Sequence, residues 1–142
     1  MAVTTRHWRS ERGAELIEFA IVVPILLLLI AGIIDFGMMF RTYEAVTNAA
    51  REGARVGVLP GYAPVDVQSR VDAYLAASGL TGPHTTSVVN IPVATTAGTF
   101  TARAVTLNYT YQFVVLGGFG NLGTITLNAQ SVMRTEAQAA AP

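Results

Sequence analysis

Gly13 to Gly57 read GAELIEFAIVVPILLLLIAGIIDFGMMFRTYEAVTNAAREGARVG, and the reading of this stretch decides the fold. Phe19 to Ile34 carry no charge, and the apolar run continues to Phe40 with Asp35 as its one interruption. At about 1.5 Å per residue, the roughly twenty-two positions from Phe19 to Phe40 make a helix of about 33 Å, against about 30 Å of bilayer hydrocarbon. Such a helix crosses a membrane once. The helical pattern then continues, because Tyr43, Val46, Ala50, Gly53 and Gly57 recur at three- and four-residue steps. One long helix is therefore expected from near Ala14 to near Leu59, where Pro60, Gly61 and Pro64 break it. Pro24 lies inside it and predicts a kink or a loosened turn, which membrane helices tolerate.

Working outward, a 142-residue chain with one span leaves about 85 residues for a soluble part, enough for one small domain. Formal charge is zero, from nine basic and nine acidic residues, which argues against a nucleic-acid footprint. Cysteine is absent, so disulfides, thiolate metal sites and a cysteine nucleophile are excluded. Arg6, Arg9 and Arg12 precede the apolar run as a basic leader, but the run is longer than a usual signal-peptide core of roughly 7 to 15 residues. Three further arginines follow the span at Arg41, Arg51 and Arg55, so charge counting does not orient the helix.

Two acids occupy costly places. Glu18 either marks the interfacial start of the helix beside Glu15, favoured by the helix dipole, or is drawn to a positive group on another chain. An unpaired acid at the centre of a bilayer costs on the order of 2 to 3 kcal/mol or more. Asp35 either snorkels to the far interface, stays protonated, or pairs with another group. Beyond the span, Ala45, Ala49 and Gly53 form a row of small residues that lets a second backbone approach, either from the protein's own sheet or from a neighbouring subunit.

After the breaker cluster, a short helix is expected over residues 65–78, with Val67, Val71, Tyr74 and Leu75 on one side and Gly79 as its stop. The period then changes to alternation. Val89, Ile91 and Val93 form a strand that Pro92 confines to a sheet edge. The strongest strand runs through Val105, Leu107, Tyr109, Tyr111, Phe113 and Val115. Phe100, Ala102 and Ala104 lie in the other phase, which predicts a bulge near Arg103. Glycines at 117, 118, 120 and 123 mark a turn, and a last strand carries Ile125, Leu127, Ala129, Ser131 and Met133, before a frayed tail from Ala137. The expected fold is α+β: a lollipop of one long helix, a short helix and three to four antiparallel strands. His7 and His84 have no companion at metal-ligand spacing, and no nucleophile elbow or phosphate loop occurs. No catalytic residue, metal or cofactor is expected; His84 reads as a solvated loop residue, and Asp66, Asp72, Arg51, Glu52 and Arg55 as helix-end or surface charges.

Gly13 followed by AELIEF, an apolar run ending in GIIDFG, and then TNAAREGAR resembles the TadE-like family, the small pseudopilins of tight-adherence (Flp-type, type IVc) pilus systems. The resemblance covers roughly residues 12 to 58. It implies a leader over 1–13, cut by a membrane aspartyl prepilin peptidase between Gly13 and Ala14, with Glu18 and Phe19 as the acid and aromatic of the family pattern. A long helix over 14–58, spanning at about 19–40, would carry a pilin-like domain over 59–142. The implied place is a bacterial inner membrane, single-pass, with the N-terminus cytoplasmic and the domain periplasmic, and then the extracellular pilus. The implied partners are the peptidase, other pilins or pseudopilins and the assembly platform. On this view Glu18 neutralises the new ammonium of Ala14 on a neighbouring subunit, and Asp35, Ala49 and Gly53 are candidates for subunit packing or charge pairing. The competing expectation is an unprocessed, single-pass membrane-anchored periplasmic adaptor or binding module.

Overall fold

The computed structural model describes residues 10–96, 98–118 and 123–135; the leader up to residue 9 and the tail from residue 136 lie outside them. Helix α1, Ser10–Gly57, is unbroken through Pro24 and ends just short of the expected Leu59. Its 48 residues make it about 72 Å long at 1.5 Å per residue. The two halves differ in surroundings. From Leu16 to Ile30 every large apolar side chain except the partly exposed Val23 is exposed, whereas Val46, Ala49, Ala50 and Ala54 are buried. One N-terminal apolar helix of this kind fits a membrane anchor.

Helix α2, Pro64–Ala77, starts on proline, whose missing N–H costs nothing at a helix's first position. Asp66 reaches back, and its Oδ2 accepts the Ala63 N–H at 2.8 Å. At the other end Gly79 has φ 76°, and the Gly79 and Leu80 N–H groups donate to Ala76 and Leu75 carbonyls at 3.0 and 2.9 Å. That Schellman turn folds Leu80 back onto the core. Val67, Val71 and Leu75 bury one face of α2 completely. Burying each is worth about 1.5 to 3 kcal/mol, which is what holds a helix this short in place.

Strands β1 (His84–Thr95), β2 (Gly98–Gln112) and β3 (Thr124–Arg134) form an antiparallel sheet in the order β1-β2-β3, so β1, with Pro92, is an edge. β1 begins where the sequence suggested loop, because the Thr110 N–H donates to the Pro83 carbonyl at 2.9 Å and carries the ladder to that end. Val105, Leu107, Tyr109 and Tyr111 of β2, with Leu127 and Ala129 of β3, face α1 and α2. The structure is the α+β lollipop, with three strands.

The bulge expected near Arg103 is absent. Register runs without a break from Ala102↔Ile91 and Ala102↔Arg134 through Val105↔Val88 and Val105↔Ser131. Both phases are apolar because Ala102 and Ala104 sit on the outer face, where their small side chains are covered by the larger cross-strand neighbours Val89, Ile91 and Val132. A change of phase here marks a second apolar face.

Candidate functional site

Asp35 lies in the apolar run of α1, yet its side chain is 0 % exposed. Its carboxylate is turned to the segment after β2. The Val114 N–H donates to Oδ1 at 3.1 Å, the Val115 N–H is shared between Oδ1 and Oδ2 at 3.1 Å each, and the Leu116 N–H donates to Oδ2 at 2.6 Å. Three successive N–H groups converging on one carboxylate make an anion nest, closed by the 3-10 turn Leu116–Gly118. Charge-assisted bonds of this kind are roughly twice as strong as neutral ones and offset the cost of burying the acid. The Tyr111 hydroxyl, also buried, reaches the Asp35 carbonyl at 3.4 Å. Phe113 packs edge-on against both Phe36 of α1 and Tyr111, with ring centroids 6.2 and 5.6 Å apart. Asp35 therefore does not snorkel. It fastens the domain to the helix at the level of the apolar run.

The small-residue row is likewise occupied within the chain. Ala49 is fully buried, and a Cβ added to Gly53 would stand 2.5 Å from Val71 Cγ2 and 3.5 Å from Val105 Cγ1. Close approach at Gly53 lets α2 and the sheet meet α1 at the same point. Beside it, Glu52 binds Arg55 at 2.8 Å and Arg70 of α2 at 2.6 Å. The hydrogen bonds of these two guanidiniums hold its carboxyl down to about 2. Glu52 was expected on a solvated face; the structure makes it the link between the two helices.

His84 was also expected to be solvated, and it is held instead. Its Nδ1 lies 3.0 Å from the Gly82 carbonyl and its Nε2 3.0 Å from Asp72 Oδ1. Two acceptors on two ring nitrogens suit the imidazolium, and the carbonyl, followed by Asp72, raises the histidine's pKa. Among the described residues no three His, Asp or Glu side chains gather where they could hold a metal.

Glu18 is the opposite of Asp35. It is exposed, between the exposed Ile17 and Phe19, and among the described residues it has no hydrogen bond or ion pair within its own chain. Gly13 and Ala14 lie inside the helix, and nothing stands within 4 Å of a Cβ added to Gly13. The structure engages Asp35, at the 114–116 segment, and Ala49 and Gly53, at α2 and the sheet, in separate contacts within the chain, and leaves Gly13, Ala14, Glu18 and Phe19 out of both.

A family model described as TadE-like protein matches residues 13–55. This segment is TadE-like. The match begins at Gly13 and includes Glu18, Asp35, Ala49 and Gly53, so it takes in both the free acid and the buried one. A TadE-like segment suggests a protein associated with the Tad pilus, anchored by its N-terminal apolar helix. No curated protein and no solved structure matches the chain.

Proposed function

We propose that this chain is a minor pilin or pseudopilin of a tight-adherence (type IVc) pilus, which helps to initiate, prime or tip the filament by helix packing and without catalysis. A prepilin peptidase cuts it between Gly13 and Ala14 on the cytoplasmic face, and the domain lies in the periplasm. Other pilins and the assembly platform are then its partners. The observation that carries this reading is Glu18: an exposed carboxylate at the apolar start of a TadE-like helix, with no partner in its own chain among the described residues. Cutting after Gly13 creates an ammonium on Ala14, about 6 Å of helix rise before Glu18, so an acid and an amine become available at similar depth on every subunit.

The alternative, an unprocessed anchored adaptor, draws support from the unbroken helix across Gly13 and Ala14, because a peptidase needs that backbone opened. Intact mass after co-expression with a prepilin peptidase separates the two. A pseudopilin loses residues 1–13, and a chain that keeps them in the presence of active peptidase is the adaptor. Gly13→Leu abolishes the mass change. Because nothing stands within 4 Å of that Cβ, the block arises at the peptidase and not in the fold of this chain.

A further inference from the structure

The nest on Asp35 fixes where one particular loop lies. Residues 114–116 are pinned by hydrogen bonds of 2.6 to 3.1 Å to a carboxylate inside the apolar run of α1. The loop cannot sit higher on the helix than that carboxylate. Asp35 is about 8 Å of helix rise short of Phe40, the end of the apolar run, so the loop lies at or below the level where the run leaves the bilayer. Phe113 to Gly118 read FVVLGG, without a charge. Val114 is 67 % exposed, and on α1 Phe36, 50 % exposed, lies one turn from the exposed Ile33 and Phe40. The small Ala31, one turn below Asp35, is buried.

Irregular backbone is costly at membrane depth because its N–H groups have no water to bond. Here three consecutive N–H groups already have an acceptor, which removes that cost from the loop, while Val114 points outward and Val115 and Leu116 stay partly exposed.

We propose that residues 113–116 form an apolar foot that enters the headgroup–acyl boundary on the domain's side of the membrane, with Asp35 as the positioning residue that makes the insertion possible. The partner is the lipid surface itself. Contact is apolar, since the foot carries neither arginine nor acid, so it does not depend on anionic lipid. Insertion at this depth is what an interfacial element with an apolar face does. The foot makes the domain stand on the bilayer beside its own helix. This inference rests on α1 being a membrane anchor and is independent of cleavage or filament assembly.

The chain has no cysteine, so single labels are read without interference. The full chain, reconstituted in phosphatidylcholine vesicles, carries a nitroxide at Val114→Cys and, in separate samples, at Leu27→Cys on the exposed apolar helix and Thr99→Cys at the far end of β2. Collision with oxygen, which concentrates in lipid, is compared with collision with a water-soluble nickel chelate. The foot predicts an oxygen-to-nickel ratio at 114 several-fold above that at 99 and nearer to that at 27, unchanged when phosphatidylglycerol is added. Asp35→Asn is expected to lower the ratio at 114 toward that at 99 while leaving 27 unchanged. A ratio at 114 equal to that at 99 overturns the insertion. Low collision with both reagents at 114 also overturns it, since the loop is then covered by protein. If the label at 27 itself reads as aqueous, the anchor has failed and not the foot alone.

Discussion

Glu18 and Asp35 are two carboxylates on one apolar helix, about 26 Å apart along its axis, and the chain treats them in opposite ways. Asp35 is fully buried, and both of its oxygens accept N–H groups from a segment 79 to 81 residues further on. Glu18 is exposed and receives nothing from its own chain among the described residues. An acid in an apolar setting needs a partner, and where it finds one decides what it does. Asp35 holds the long helix and the domain together. On the proposed reading Glu18 is left for another molecule, and the small-residue row at Ala49 and Gly53 falls on the Asp35 side of this division.

The comparison breaks most readily at Asp35. Replacing it with asparagine puts two donors where an acceptor faced the Val115 and Leu116 N–H groups, and leaves part of the nest unpaired. A loss on the order of 3 to 5 kcal/mol is expected, by analogy with stripping one partner from a buried charged pair. Denaturant unfolding of the full chain in detergent measures it. A loss below about 0.5 kcal/mol, the range of ordinary surface substitutions, would put Asp35 in the same class as Glu18.

Gly53→Leu or Ala49→Leu is the next largest effect, about 1 to 3 kcal/mol from overpacking against α2 and the sheet. The same unfolding assay reads it. Normal stability combined with lost filament entry would move the row to the intersubunit side, against the account.

Glu52 sharpens the intrachain half through pH. Its folded pKa is depressed to about 2, so the stability it contributes is present above its unfolded value of about 4.5 and lost as pH falls from there toward 2. Glu52→Gln flattens that acid limb. The change is modest, on the order of 1 kcal/mol, because Arg55 and Arg70 remain about half exposed. His84 works with the opposite sign. Its pKa is raised, so its contribution is complete below about 6.5 and disappears as pH rises through the folded value. Asp72→Asn removes part of that slope, a few tenths of a kcal/mol at this partly exposed site, seen as a smaller difference in Tm between pH 6 and 8.

The apolar run, the breaker cluster and the alternation of β2 were legible in the sequence because each is a pattern of side chains along one segment. Asp35's partners were not, since backbone N–H groups leave no mark in a sequence and these lie about eighty residues away. The available signal was negative: a lone acid in an apolar run, and an uncharged loop with two glycines at the far end of the strongest strand. Arg103 misled for a different reason. Small alanines buried between larger, exposed apolar neighbours give the sheet a second apolar phase on its outer face. Glu52 and His84 looked solvated because Arg70 and Asp72 come near them only once α2 has packed.

The smallest effect on the fold is expected at Glu18, and it is also the most informative. Glu18→Gln keeps the shape of the side chain and removes only a charge that has no partner among the described residues, so unfolding is expected to change by less than about 0.5 kcal/mol. Cleavage after Gly13 proceeds as in the parent. If the proposed charge pairing holds, entry into the filament is expected to fail, because the Ala14 ammonium of one subunit loses the carboxylate of the next. The decisive measurement is the ratio of cleaved protein in sheared pili to cleaved protein left in the membrane, for Glu18→Gln against the parent chain. The account predicts a drop of at least tenfold with the cleaved fraction unchanged, whereas an equal ratio in the two chains would contradict it.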